Sequence, residues 1–115
     1  MPWTMVLSEQ LEHLTTTLGI SYEELAQVLE TDKKTVYRWL ADETFPQAQN
    51  RARLDALEAL VDRLDESFKT QEGSQSWMHA ESGYFGGLRP VDALLCGRID
   101  AVDAALEALD SGAFV

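Results

Sequence analysis

The chain has 115 residues, enough for one domain or two small subdomains sharing a core. A hydrophobic content of 45% supports a packed interior, and a formal net charge of −11 works against general affinity for nucleic acid or an anionic membrane. The single Cys96 cannot close an internal disulfide, no basic stretch precedes an apolar run at the start, and no stretch approaches membrane-spanning length, so the expectation is a soluble, cytoplasmic protein.

Alternating β-branched runs are absent and apolar residues recur at spacings of three and four, which predicts an all-α fold. Ser8 is placed to cap a first helix that stops before Gly19, a position suited to the left-handed conformation. Ser21 and Glu24 fit a capping box that opens a second helix through Leu29. Asp32 can cap a third helix carrying Val36, Trp39 and Leu40, and Pro46 closes this region. A fourth helix is predicted over 47–68, about 30 Å long, with Leu54, Leu57, Leu60, Val61, Leu64 and Phe68 on one face. Its other face carries Arg53, Asp55, Glu58, Asp62, Arg63 and Glu66. Residues 70–76 read as a polar break, followed by a short helix around Trp77 and a Gly-rich turn. Pro90 opens the next helix, Gly97 ends it, and a last helix turns Ile99, Val102, Leu106 and Leu109 inward. The expected division is 1–46, a long linking helix over 47–72, and 73–115.

Residues 22–41 have helix-turn-helix spacing. Ala26 is the small residue where the two helices approach, and Leu25, Leu29, Val36 and Trp39 face inward. The turn position that usually holds glycine holds Glu30, which requires a turn that avoids positive φ there. If the motif reads DNA, the contacting residues are Lys33, Lys34, Thr35, Tyr37 and Arg38. Against that, residues 1–46 hold three basic and eight acidic side chains, and Asp32, Asp42 and Glu43 flank the second helix. The alternative is a three-helix packing unit with a solvated basic patch.

No catalytic constellation stands out. His13 and His79 have no partner at metal-ligand spacing and read as satisfied or solvated. Cys96, in an apolar segment, reads as a buried small hydrophobe. Gly83, Gly86 and Gly87 are too loosely spaced for a dinucleotide fingerprint. The expectation is a binding protein, with no enzyme activity, metal or cofactor.

The C-terminal third carries the most information. Trp77 is followed by a small loop, by Gly87-x-x-Pro90-x-x-x-Leu94, by Gly97, and by an amphipathic helix ending in Gly112-x-Phe114. With the preceding helix-turn-helix and long helix, this order resembles the Xre/MbcA/ParS-type antitoxins over about residues 8–115. Where family members often carry a Pro-Asn pair, this chain has Glu81-Ser82-Gly83. The resemblance implies a type II antitoxin whose partner is a RES-domain toxin that degrades NAD⁺. It also implies that Gly112, Ala113, Phe114 and Val115 sit at or near the NAD⁺ cleft, with Phe114 as the anchor. Trp77, Arg89 and Arg98 are further candidate toxin contacts. A net charge of −11 suits encounter with a positive, pyrophosphate-binding cleft. The family further implies a homodimer within a hetero-oligomeric complex. The stripe from Leu54 to Phe68 is either that dimer's seam or the internal core.

Overall fold

Helix boundaries follow from local hydrogen bonding in the computed structural model, which describes residues 6–112. Helix α1 spans Leu7–Leu18 and starts earlier than Ser8 suggests, because the Val6 N–H donates to the Glu9 carboxylate at 3.2 Å and Ser8 lies inside the first turn. Gly19 ends it with φ +70°, its N–H and that of Ile20 closing on the Thr16 and Thr15 carbonyls. Helix α2, Tyr22–Leu29, opens on the expected reciprocal cap. Glu24 N–H donates to Ser21 Oγ at 3.0 Å, and Ser21 N–H donates to Glu24 Oε1 at 2.9 Å. Asp32 caps α3, Lys33–Leu40, by accepting from the Lys34 N–H at 3.2 Å.

Helix α4, Ala48–Ser67, is the spine, packing against α1, α2, α5 and α7. Leu54, Leu57, Leu60, Val61 and Leu64 are each no more than 2% exposed. Each such side chain contributes roughly 1.5–3 kcal/mol by leaving water. Phe68 closes the stripe, stacked at a tilt on Trp77 with ring centroids 6.0 Å apart. The stripe is therefore the chain's own core, which rules it out as a dimer seam.

The polar run 70–76 is not a break. Thr70 Oγ1 accepts from the Gly73 N–H at 3.0 Å and opens α5, Gln71–Met78, which packs on α1, α4 and α6. Two polar side chains of this helical segment tie it to the end of α1: Gln75 donates its amide to the Thr16 carbonyl, and His79 Nε2 lies 2.9 Å from the Gly19 carbonyl oxygen. Tertiary bonding thus makes a helix of residues whose composition reads as a linker. Met78 is fully buried.

A single 3-10 turn, Gly83–Phe85, leads to α6, Pro90–Leu95, and then α7, Ile99–Ser111. Val91, Leu94, Val102 and Leu106 join the same core as α4, with Ile99 and Leu109 half-buried at its edge. Among the described residues the fold is all-α, with no strand and no helix long and apolar enough to cross a membrane. Because Leu57 lies in the middle of the buried stripe, Leu57→Ala is expected to cost about 2–5 kcal/mol of unfolding free energy in a urea titration. A dimer-seam residue would instead change the oligomeric state and leave the monomer's stability nearly intact.

Candidate functional site

The candidate contact residues fall on two surfaces: the exposed face of α3 and the C-terminal segment. The turn before α3 corrects one expectation. Glu30 adopts φ +56°, the left-handed conformation that a non-glycine residue enters at a cost of about 1–2 kcal/mol. The Thr31 N–H closes on the Ala26 carbonyl at 2.9 Å and the Glu30 N–H on the Gln27 carbonyl at 3.1 Å. From α4, Arg53 Nη1 donates to the Leu29 carbonyl at 2.8 Å, and Nη2 sits 3.4 Å from Glu30 Oε1. The turn between α2 and α3 is thus made with a left-handed glutamate at the position where the pattern expects glycine, and the half-buried Arg53, which the sequence placed on the polar face of the fourth helix, is bonded to it.

On α3, Val36 and Trp39 are buried, Thr35 is half-buried, and Lys33, Lys34, Tyr37 and Arg38 are exposed. The Tyr37 hydroxyl is already committed, donating to Glu23 Oε2 at 2.6 Å, with its ring edge-on to Tyr22. That bond holds the Glu23 carboxyl below its ordinary value and pushes the Tyr37 hydroxyl up. Arg51, Arg53, Arg63, Arg89 and Arg98 all stand in ion pairs. Among the described residues, Lys33, Lys34 and Arg38 form none. Arg38 and Thr35 line a groove with Gln47, Gln49 and Asn50 from the start of α4.

In the C-terminal unit, Trp77 is half-buried against Phe68, so much of its surface is spent inside the chain. Arg89 is forked onto Asp92: Nη2 to Oδ1 is 2.8 Å and Nε to Oδ2 is 3.2 Å, while the Arg89 N–H donates to Oδ2 at 3.0 Å. This cap opens α6 and holds the Asp92 carboxyl below its ordinary value. Arg98 pairs with Asp100 at 3.2 Å. Both arginines still reach solvent, each already paired with a carboxylate of this chain. Gly112 ends α7 with φ +76°, and the expected contacts Ala113, Phe114 and Val115 lie outside the described residues.

The 3-10 turn displays side chains that the sequence reading left out. Leu88 is 61% exposed and Tyr84 44% exposed. They stand on a defined scaffold. Ser82 N–H donates to the Leu88 carbonyl at 3.0 Å, Gly87 N–H donates to the Ser82 carbonyl at 2.8 Å, and Ser82 Oγ accepts from the Tyr84 N–H at 3.2 Å. Gly86 and Gly87, at φ +66° and +96°, give this scaffold its shape. The signal was present as apolar residues set between glycines in a short loop, where no helical period organises them.

The remaining chemistry is plain. His13 lies 3.0 Å from Asp65 and His79 is bound to Gly19, so both are satisfied. Cys96 is exposed, contrary to expectation, because it falls at the C-terminal cap of α6, past the last inward position. Among the described residues no group of three or more His, Cys, Asp or Glu side chains could hold a metal ion.

No family model matches the chain. Over 110 residues it is 28% identical to proteins of Mycobacterium tuberculosis and Mycobacterium bovis described as the mycobacterial cidal antitoxin MbcA, covering 96% of this chain and 96% of theirs. The likeness is to an antitoxin, end to end. The structure matches a chain in the crystal structure of the M. tuberculosis MbcT–MbcA toxin–antitoxin complex with a TM-score of 0.69 at 28% identity, covering 97% of this chain and 100% of that one.

Tyr37→Phe is expected to raise the Glu23 carboxyl toward its ordinary value in an NMR pH titration, since the phenol no longer donates to the carboxylate. The stabilisation from this pair is present above the unfolded glutamate pKa and is lost as pH falls through the lowered folded one. The variant's acid-side loss of stability should accordingly be smaller. An unmoved Glu23 titration would show that the bond is not made in solution.

Proposed function

We propose that the chain is the antitoxin of a toxin–antitoxin pair, acting in the cytoplasm. In this reading residues 73–115 hold a RES-domain toxin, and Gly112, Ala113, Phe114 and Val115 block its NAD⁺ cleft. The observation that carries the reading is the similarity to MbcA antitoxins across 96% of both chains. The rigid loop that displays Tyr84 and Leu88 supports it, since exposed apolar side chains on a fixed backbone suit a protein partner. So does the charge of −11, which favours encounter with a positive cleft. A homodimer within a larger complex with the toxin fits the same reading, its seam lying outside the α4 stripe.

The test is NAD⁺ consumption by the RES-domain protein encoded beside this chain. Inhibition is expected at near-stoichiometric amounts, and it should be lost when residues 113–115 are deleted. Leu88→Ser should weaken toxin binding by about tenfold, the scale of one central apolar anchor, without changing the unfolding free energy. An active toxin left untouched by the full chain overturns the antitoxin reading.

A second reading is favoured by one observation: among the described residues, the exposed Lys33, Lys34 and Arg38 of α3 form no ion pair, on a helix that follows α2 across a tight turn. We propose that this face binds DNA as an autoregulating repressor, with Lys33, Lys34 and Arg38 on phosphates and Thr35 beside them. Tyr37 contributes its ring, since its hydroxyl is held by Glu23. Lys33→Ala with Arg38→Ala should abolish an operator gel shift at moderate salt, each lost phosphate contact lowering the salt slope by about 0.9. No sequence-selective shift by the unmutated chain with its toxin overturns this reading.

A further inference from the structure

Helix α7 reaches well past its last fully buried residue. Leu106 is the final side chain wholly inside the core, and the turn that follows has only Ala108 and Leu109 half-buried. A last turn so lightly packed frays readily. Here it is tied back to α4 by polar groups. The Ser67 hydroxyl donates to the Asp110 carboxylate, lying 2.8 Å from Oδ1 and 2.9 Å from Oδ2. Arg63, one turn earlier on α4, reaches Asp103 with Nη1 at 3.2 Å and Asp110 with Nη2 at 3.8 Å.

One guanidinium thus spans the two carboxylates that α7 turns toward α4. Asp110 stands two residues before Gly112, where the chain takes its left-handed step out of the helix. The direction in which the chain leaves the domain depends on whether this final turn is wound and where it lies.

We propose that Ser67, Arg63 and Asp110 form a clasp that positions the chain's exit at Gly112 and thereby governs inhibition by residues 113–115. These three are positioning residues, and the proposal rests on the tail-occlusion reading above. The clasp has little to do with global stability. The Arg63 side chain is 32% exposed and that of Asp110 is 42% exposed, and ion pairs so open to water add little to folding. Its effect is local. It holds the last helical turn against α4, so that the chain leaves Gly112 in one direction and this turn need not be ordered when a partner binds.

The experiment uses the full chain and the chain ending at Gly112, each with and without Asp110→Ala, and Ser67→Ala as a milder variant in both lengths. Three quantities are read: the toxin dissociation constant by calorimetry, inhibition of NAD⁺ consumption, and thermal unfolding. In the full chain, Asp110→Ala is expected to raise the NAD⁺ consumption that remains when the toxin is saturated with the chain by about tenfold, the scale of a lost hydrogen bond to a charged group, with much smaller changes in binding and in unfolding temperature. Ser67→Ala should move inhibition the same way by a smaller factor, and Asp110→Asn, which can still accept from Ser67, should restore part of it. In the chain ending at Gly112 the same substitutions should leave residual inhibition unchanged. A merely structural role would move unfolding and binding in both lengths alike. If both single variants inhibit as well as the parent while the truncated chain does not, the clasp is refuted and tail occlusion stands. If the truncated chain inhibits as fully as the complete one, tail occlusion fails and the clasp fails with it.

Discussion

Four of the helices in the described fold lean directly on one amphipathic helix, α4. The buried stripe of α4, from Leu54 to Leu64, is the surface on which α1, α2, α5 and α7 lie. Helices of eight residues or fewer, such as α2, α3, α5 and α6, are too short to persist alone in water and take their stability from such packing. A twenty-residue helix supplies a continuous apolar surface long enough to serve both halves. That constraint explains why the stripe is unavailable for dimer formation, and why the candidate contact residues lie at the periphery.

The polar side of α4 is bound into the fold almost as closely. Arg53 reaches forward to the end of α2, and Arg63 reaches across to α7. Each arginine lays its stem along the helix and delivers its guanidinium to a neighbouring element, a use that suits its planar fork and permanent charge. The two have different consequences. Arg53 supports the turn between α2 and α3 in a conformation that disfavours glutamate, so that turn does not depend on glycine. Arg63 joins α7 to α4 through Asp103 and Asp110.

Elements with strong local signals were legible in the sequence. Gly19, the Ser21–Glu24 box, Asp32 and Pro90 all mark helix ends where expected, because capping is decided by residues within one turn. The alternating faces of α4 were legible for the same reason: periodicity is local. What failed was decided over longer separations. Residues 70–76 look like a linker until the Thr16 and Gly19 carbonyls are brought beside Gln75 and His79. Glu30 looks incompatible with a left-handed turn until Arg53 arrives from α4. Among the candidate contacts, Trp77 and Arg89 are each also engaged within the chain, and the sequence pattern did not mark Leu88 and Tyr84 as exposed on their loop. Display on a glycine-shaped loop depends on backbone geometry that no periodicity encodes.

The bonds from α5 to the end of α1 have a consequence for how the molecule comes apart. They join residues about sixty positions apart, so the first helix finishes its own hydrogen bonding only after the chain has returned to meet it. Neither half is complete by itself: a fragment ending before α5 leaves those carbonyls without these donors, and a fragment starting there lacks the spine it packs on. Melting should accordingly be a single cooperative event. A protease acting on the unfolded form would meet the whole chain opened at once and find no stable half to leave behind.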